Sequence, residues 1–270
     1  MIERTKISLG AVWEEAFAFC KAEVALLAPL AVLCFGLPLV VLDLVMPTKL
    51  VVDGAVAVGP WMAWIIPHAL FSLLGTLSIT ALTARAGISV REALQTGVSR
   101  MPAGIAVALL AFGAVVLASI PVGIVAGIES SVTGKAGAAF LLAYLLVLVG
   151  LAWLAMRLLP VWAAIATSRV NGWATVRATL ALTRGLAPQM LLLRIVAWIS
   201  QFLVMSVLML PARAIFELIG RATGATALTD LLATLVGSVV AAAIVTLWTV
   251  YVALLYRKMV SAAVAAIRDQ

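Results

Sequence analysis

Arg157 and Arg194 are the two arginines that lie within long apolar stretches of the sequence. At about 1.5 Å per residue, a helix would carry Arg157 roughly 16 Å and Arg194 roughly 9 Å from the predicted cytoplasmic ends of their stretches. An arginine at such depth costs several kcal/mol unless it is paired or its side chain reaches the surface. Since no carboxylate is expected at that depth, water, backbone carbonyls or an anionic molecule must supply the partner.

Aromatic and amide side chains share the helical faces of these two arginines. Trp153 lies four residues before Arg157, and Trp198 and Gln201 lie four and seven residues after Arg194. A phosphate between the two arginines would form charge-assisted hydrogen bonds, for which the planar guanidinium is well shaped. The five residues are therefore candidates for binding an anionic lipid or ligand. The alternative is that both arginines stack on tryptophan and extend towards the surface.

Arg177 and Arg184 belong to the same hypothesis. They lie between the two apolar stretches, on a segment predicted to be a helix at the cytoplasmic surface. A basic residue near an anionic membrane surface contributes about 1 kcal/mol to the attraction. Membrane lipids with anionic headgroups are therefore the expected partners, and a membrane protein is a further candidate. The net charge of +7 has the same explanation, and nucleic acid is not expected, because no basic patch carries interleaved aromatic residues.

The sequence lacks the residue sets that are typical of catalysis or metal binding. Its one histidine, His68, has no intramembrane carboxylate nearby in sequence, as a zinc site or a catalytic triad would require. No Gly-rich phosphate loop is present. Cys20 and Cys34 form no CxxC pair, so they are expected to be small apolar residues without a disulfide. We therefore expect a protein that is not an enzyme and has no catalytic residues, no cofactor and no metal.

Composition determines which elements must position these residues. Of the 270 residues, 65% are hydrophobic and only 11% are charged, which excludes an ordinary water-soluble domain. Continuous apolar runs of some twenty residues indicate helices, since the strands of a membrane barrel are shorter and alternate in character. The expected fold is all-α, a polytopic membrane bundle of six transmembrane helices in one domain over residues 1–270. The six segments lie at about 24–46, 60–84, 102–127, 137–167, 188–211 and 228–256, with a kink expected near Arg157 and Pro160 in the fourth.

The distribution of basic residues predicts the orientation. With the N-terminus inside, twelve Lys and Arg residues fall on the cytoplasmic side and four on the outer side. The four outer residues are Lys49, Lys135, Arg213 and Arg221. All connecting loops are short enough for the positive-inside rule to apply. Both termini are therefore expected in the cytoplasm.

Three amphipathic stretches, at about 8–22, 89–101 and 172–186, each precede a membrane segment on that side. They are predicted to be interfacial helices, and Ser89 with Glu92 forms the pattern of a capping box. The order of one surface helix and two spans recurs three times. At an offset of 86 residues, Arg91 aligns with Arg177 and Pro102 with Pro188. These observations predict a parallel repeat with units 8–84, 89–167 and 175–256.

Gly123 and Gly127 form a GxxxG pattern in the third apolar segment. Such a pattern lets two membrane helices approach closely. We expect the partner helix to belong to the same chain, with a second chain as the alternative.

The stretch from Arg157 to Gly185 carries a family resemblance. It combines the end of a span at a proline, a short turn, and an amphipathic helix that closes in Leu182-Thr183-Arg184-Gly185. This stretch resembles the membrane domain attached to some bacterial glycerophosphodiester phosphodiesterases and the stand-alone six-span inner-membrane proteins related to that domain. The resemblance implies a multi-pass protein of the bacterial inner membrane. The resemblance does not imply phosphodiesterase activity, because the soluble catalytic domain is absent.

Two functions follow as hypotheses. The first is a non-enzymatic inner-membrane protein that binds lipid or a membrane partner, as an accessory or scaffolding factor of the envelope. The second is a transporter or flippase-like carrier of an anionic, lipid-like molecule. A carrier requires a continuous polar path, and polar residues are concentrated in spans four and five and sparse in spans one and three. The sequence therefore favours the first hypothesis.

Overall fold

The structure, a computed structural model, describes residues 8–46, 51–52, 55–56, 59–85, 87–133, 137–167, 172–184 and 186–268. These ranges are helical almost throughout, with one short antiparallel pair of strands. In chain order the elements are α1 Leu9–Ala22, α2 Val24–Ala31, a π-helical segment Val32–Gly36, α3 Leu37–Val45, β1 Val51–Val52, β2 Ala55–Val56, a 3-10 turn Pro60–Trp64, α4 Ile65–Ala84, α5 Val90–Thr133, α6 Ala138–Arg157, α7 Val161–Thr167, α8 Gly172–Leu182, α9 Ala187–Thr223 and α10 Thr226–Arg268.

Six parts of the described chain are helical, long and apolar enough to cross a membrane. Large apolar side chains cover the outer surfaces of α5, α6 and α9, which lipid accommodates and water does not. The chain is therefore a multi-pass membrane protein with an all-α bundle fold, as predicted. The six spans are Val24–Val45, Pro60–Ala84, Val90–Val132, Ala138–Thr167, Pro188–Thr223 and Thr226–Ala265.

The core of the bundle lies between spans one, two and six. α10 contacts α1, span one, α4 and α9, and α4 in turn contacts α5 and α7. Leu30, Ile79, Val250 and Leu254 are almost fully buried in this core. The most apolar stretches of spans four and five bury no residue. α4 and α10 are thus the scaffold of the bundle, while α6 and α9 present most of their surface to lipid.

Span one changes its helical geometry just before Pro38. Proline has no backbone N–H and cannot continue the α-helical hydrogen-bond pattern. The N–H of Leu37 bonds instead to the carbonyl of Val32, five residues back. On the facing helix, a Cβ at Gly75 would lie 2.6 Å from the Cβ of Cys34. Because glycine has no Cβ, position 75 leaves room for α4 to pack closely on the π-helical segment.

The second predicted surface helix is continuous with the span that follows it. Residues 89–101 are not a separate element: from Val90 on they form the first turns of α5, which continues through Pro102 without a break. The capping box at its start is confirmed. The backbone N–H of Ser89 donates to the Glu92 carboxylate at 2.8 Å, and the N–H of Glu92 donates to the Ser89 hydroxyl at 3.3 Å.

Packing against α4 explains why this stretch continues straight into its span. A Cβ at Gly97 would lie 2.2 Å from the Oγ of Ser78 and 3.3 Å from the carbonyl oxygen of Leu74. About two turns further on, a Cβ at Gly104 would lie 3.1 Å from Leu73. The two glycines let the beginning of α5 lie directly on α4. One side of this stretch is therefore buried against protein, and its position among lipid headgroups stays a prediction.

The predicted break in the fourth span is confirmed. α6 ends at Arg157, and α7 begins at Val161 after the turn that contains Pro160. The break removes the normal intrahelical partner of the Arg157 carbonyl, which accepts a hydrogen bond from the Thr183 hydroxyl at 3.1 Å instead. α7 then packs against α4 with Ile165 buried.

The first predicted surface helix, α1, is a separate element that is fixed to the last part of α10. Val12 and Ala16 are fully buried in the core cluster. The Glu15 carboxylate lies 2.6 Å from Arg257 and 2.7 Å from Lys258. The hydrogen bond from Lys258 and the positive charges of both residues hold the pKa of Glu15 below its ordinary value. This carboxylate therefore stays charged at neutral pH, and α1 lies at the same end of the bundle as the end of α10.

The expected packing at Gly123 and Gly127 is not found within the described chain. A Cβ at either glycine would meet nothing within 4 Å. α5 meets α6 through a neighbouring face, where the Glu129 carboxylate accepts the N–H of Phe140 at 2.9 Å. The GxxxG face is left open to lipid or to a second chain.

The three-unit repeat stays a prediction. Each unit contains a surface stretch followed by two spans, in the expected order. The units differ locally, because the surface stretch is separate in the first and third units and continuous with its span in the second.

Candidate functional site

α8, the third predicted surface helix, carries the predicted surface arginine Arg177. Its opposite face is buried: Val176 packs in a cluster with Val107 of α5 and Ile165 of α7. Arg177 is consequently exposed, and its Cζ lies 5.2 Å from the centroid of the Trp173 ring, one turn away on the same helix. Arg184 is exposed in the turn that follows α8. Burial of one face of α8 thus turns its basic face outward.

Arg157 is held between its own helix and α8. One guanidinium nitrogen, Nη2, donates to the carbonyl of Leu180 near the end of α8. The Cζ of Arg157 lies 4.9 Å from the centroid of Trp153, as the spacing of the two residues predicts. A backbone carbonyl, one of the partners anticipated for this residue, therefore satisfies part of the guanidinium. Its other N–H groups point to no carboxylate in the described chain.

Arg194 stacks on a tryptophan of another helix. Its Cζ lies 5.4 Å from the ring of Trp248 on α10. The predicted neighbours on its own face, Trp198 and Gln201, are exposed, with Trp198 68% accessible. The tertiary contact between α9 and α10 thus supplies the aromatic partner, and a helical-face argument within α9 could not identify it.

Trp248 belongs to a row of aromatic rings that extends from Arg194 to α1. The Trp248 and Tyr251 rings are stacked, with centroids 5.5 Å apart and planes 15° apart. The Tyr251 and Trp13 rings are also 5.5 Å apart, tilted by 56°. Tyr251 is 0% accessible, and its hydroxyl has no hydrogen-bond partner among the described residues. Together with Arg194 the row links α9, α10 and α1, and sequence reasoning missed it because Arg194 and Trp13 are distant from Trp248 and Tyr251 along the chain.

Arg157, Arg177 and Arg194 share an electrostatic property. Each guanidinium faces a tryptophan ring, and none of the three takes part in an ion pair of the described residues. A cation over an aromatic face gains about 0.5–1 kcal/mol at exposed sites, less than the roughly 1.5–3 kcal/mol of a hydrogen bond to a charged group. An anion would therefore be a stronger partner than the ring. The ion pairs in the described chain are Arg221–Glu217, Arg257–Glu15 and Lys258–Glu15.

Neither Arg157 nor Arg194 lines any of three cavities in the described chain. The first, of about 750 Å³, lies between α4, α7 and α10. The second, of about 390 Å³, lies between α3, α9 and α10, and the third, an apolar groove of about 780 Å³, between α5 and α6. A phosphate held between Arg157 and Arg194 stays a prediction, and the two side chains contact different neighbours.

Comparisons with known proteins supply no relative from which a role could be transferred. No family model, no curated protein and no solved structure matches the chain.

Within the described ranges, no three His, Cys, Asp or Glu residues are grouped so that they could hold a metal ion.

Proposed function

We propose that this is a non-enzymatic protein of the bacterial inner membrane that binds anionic lipid headgroups at its cytoplasmic surface. It would act there as an accessory or scaffolding factor of the envelope, alone or with a membrane protein partner. The observation that carries the proposal is a set of three guanidinium groups that stack on tryptophan and have no carboxylate partner among the described residues, those of Arg157, Arg177 and Arg194. The resemblance of residues 157–185 to six-span inner-membrane proteins supports the same location.

The chemistry of the three arginines suits a phosphate group. Each guanidinium carries five N–H donors, and only one of those on Arg157 is used by a backbone carbonyl. Tryptophan is enriched at the level of the lipid headgroups, where its ring is partly in apolar and partly in polar surroundings. Arginine beside tryptophan therefore combines anchoring at the interface with attraction for anionic lipid, at about 1 kcal/mol per charge.

Replacement of Arg157 and Arg194 tests the proposal. In the double variant R157Q/R194Q, the molar ratio of anionic lipid to protein after purification in mild detergent should fall about thirtyfold, because two charge contacts of about 1 kcal/mol each are lost. Glutamine keeps an N–H donor for the Leu180 carbonyl. Lipid extracted from the purified protein would be quantified by mass spectrometry.

The matched control is R213Q/R221Q, which removes the same charge at the predicted outer side and should leave lipid retention unchanged. Equal loss in both double variants would show that total charge alone matters. Full retention in R157Q/R194Q would leave the two arginines as residues that only stack and extend to the surface.

The orientation has its own test. Reporter fusions after Thr179 and after Gln270 should report a cytoplasmic position, and a fusion after Thr223 a periplasmic one, because basic residues are concentrated on one side. The link between Glu15 and the end of α10 already requires α1 and that end to share a side. A periplasmic signal from the C-terminal fusion would contradict the proposed orientation.

A further inference from the structure

The cavity between α4, α7 and α10 has the character of a binding site for an amphiphile. Its volume, about 750 Å³, falls within the range of roughly 300–1,000 Å³ that is usual for small-molecule sites. Small apolar residues form much of the wall, and hydroxyl groups and one guanidinium add polar groups. The residues on which the argument rests are Thr80, Thr167, Ala253, Tyr256, Arg257 and Ser261.

Positive charge prevails beside this cavity. The only carboxylate paired with Arg257 or Lys258 in the described chain is that of Glu15, at 2.6 and 2.7 Å. One carboxylate cannot neutralise two cations, so the group keeps a net positive charge. Arg257 gives Nη2 to Glu15, which leaves the other N–H donors of its guanidinium for an anion.

The apolar wall continues from the charged group along one face of α10. Val260 and Val264 line the cavity one and two turns beyond Tyr256. On the other side of Arg257, towards the membrane, Ala163 and Ala253 line the cavity within their spans, so a hydrocarbon chain bound there would lie in the membrane. A polar headgroup and an apolar chain can therefore be bound together.

We propose that this cavity binds an amphiphile with a phosphate headgroup, and that Glu15 competes with the phosphate for Arg257. The hydroxyls of Thr80 and Tyr256 donate further hydrogen bonds to the headgroup. Because Glu15 belongs to α1, binding of the ligand weakens one of the contacts that fix α1 to α10. The site is separate from Arg157, Arg177 and Arg194, so it stands or falls independently of the proposed function.

Binding would be measured by isothermal titration calorimetry on the full-length protein in a neutral detergent. The probes are dioctanoyl phosphatidic acid, inorganic phosphate and dioctanoyl phosphatidylcholine. We expect the phosphatidic acid to bind more tightly than either of the other two, since only it combines an unshielded phosphate with acyl chains. Arg257→Gln should weaken its binding about tenfold or more, and Glu15→Gln should strengthen it about threefold or more, because a charge-assisted hydrogen bond is lost or freed.

Two further variants complete the test. Arg221→Gln is the control, because Arg221 is also paired with a glutamate, Glu217, but lies far from the cavity in the chain. The Arg221→Gln variant should bind phosphatidic acid as tightly as the unmodified protein does. Ala253→Leu fills the cavity without a change of charge and should weaken binding, which keeps the proposal testable if Arg257→Gln does not fold.

Three results would overturn the proposal. Equal binding in Arg257→Gln and Arg221→Gln would remove Arg257 from the site. Inorganic phosphate bound as tightly as phosphatidic acid would point to a free anion rather than an amphiphile. Unchanged binding of phosphatidic acid in Glu15→Gln would show that Glu15 does not compete with the ligand.

Discussion

Gly97→Leu should destabilise the folded protein by about 3 kcal/mol, because the new side chain has no room between α5 and α4. Even a Cβ at this position would lie 2.2 Å from the Ser78 Oγ, and the Leu74 carbonyl, which cannot move without α4, lies 3.3 Å away. α5 must therefore shift away from α4, at the contact where the second surface stretch joins the bundle. The measurement is unfolding of the purified protein in mixed micelles with increasing dodecyl sulfate, followed by circular dichroism.

Gly123→Leu is the matched control on the same helix, because a Cβ there would meet nothing within 4 Å. It should leave stability unchanged or slightly raised, since leucine favours a helix more than glycine does. A double-mutant cycle then identifies the contact. Ser78→Ala removes a buried hydroxyl that has no partner in the described chain, so it should be nearly neutral, and it should recover much of the loss caused by Gly97→Ala. Equal effects of Gly97→Leu and Gly123→Leu would contradict the close contact.

Tyr251→Ala should destabilise the protein by about 3 kcal/mol, because it empties the centre of the aromatic row. Tyr251 is fully buried between the Trp13 and Trp248 rings, so its loss also weakens the attachment of α1. Cys20 of α1 reports that attachment directly. Burial raises the pKa of its thiol to about 11, which keeps little thiolate at pH 8. If α1 loosens, the pKa falls and the rate of maleimide labelling at Cys20 should rise about tenfold or more.

Tyr251→Phe distinguishes the contribution of the ring to stability from that of the hydroxyl. The ring contacts remain, and a buried hydroxyl without a partner in the described chain is removed, so stability should be unchanged or slightly higher. Labelling of Cys20, located by mass spectrometry to distinguish it from Cys34, should stay slow. A loss of stability in Tyr251→Phe similar to that in Tyr251→Ala would mean that the hydroxyl has a partner that matters.

The contrast between Arg157 and Arg194 shows how far the candidate site could be predicted. Trp153 and Arg157 are four residues apart on one helix, so helical geometry alone is enough to bring them together, and they stack as the spacing indicates. Arg194 and Trp198 have the same spacing, yet Arg194 stacks on Trp248. Helical spacing predicts which residues are neighbours within one helix. It does not predict which other helix packs against them. The contact between α9 and α10 decided the second pairing.

Four glycines show the same difference between what a sequence pattern indicates and what helix packing decides. The GxxxG pattern of Gly123 and Gly127 is recognisable in the sequence, but no helix of the described chain packs on it. Gly75 and Gly97 form no such pattern and nevertheless lie where α4 packs closely on span one and α5 on α4. A small residue permits close packing, but the position of the facing backbone determines whether it is used.

The sequence by itself determined the class of the protein, the number of membrane spans and the position of the break at Pro160. These depend on local quantities: the length and hydropathy of a segment, and the missing N–H of proline. Tertiary structure alone decided the continuation of α5 from its surface stretch, the link of Glu15 to the end of α10, the aromatic row around Tyr251 and the cavity beside Arg257. Each of these joins residues that are far apart in the chain, so each depends on which helices pack together, which no local pattern of the sequence specifies.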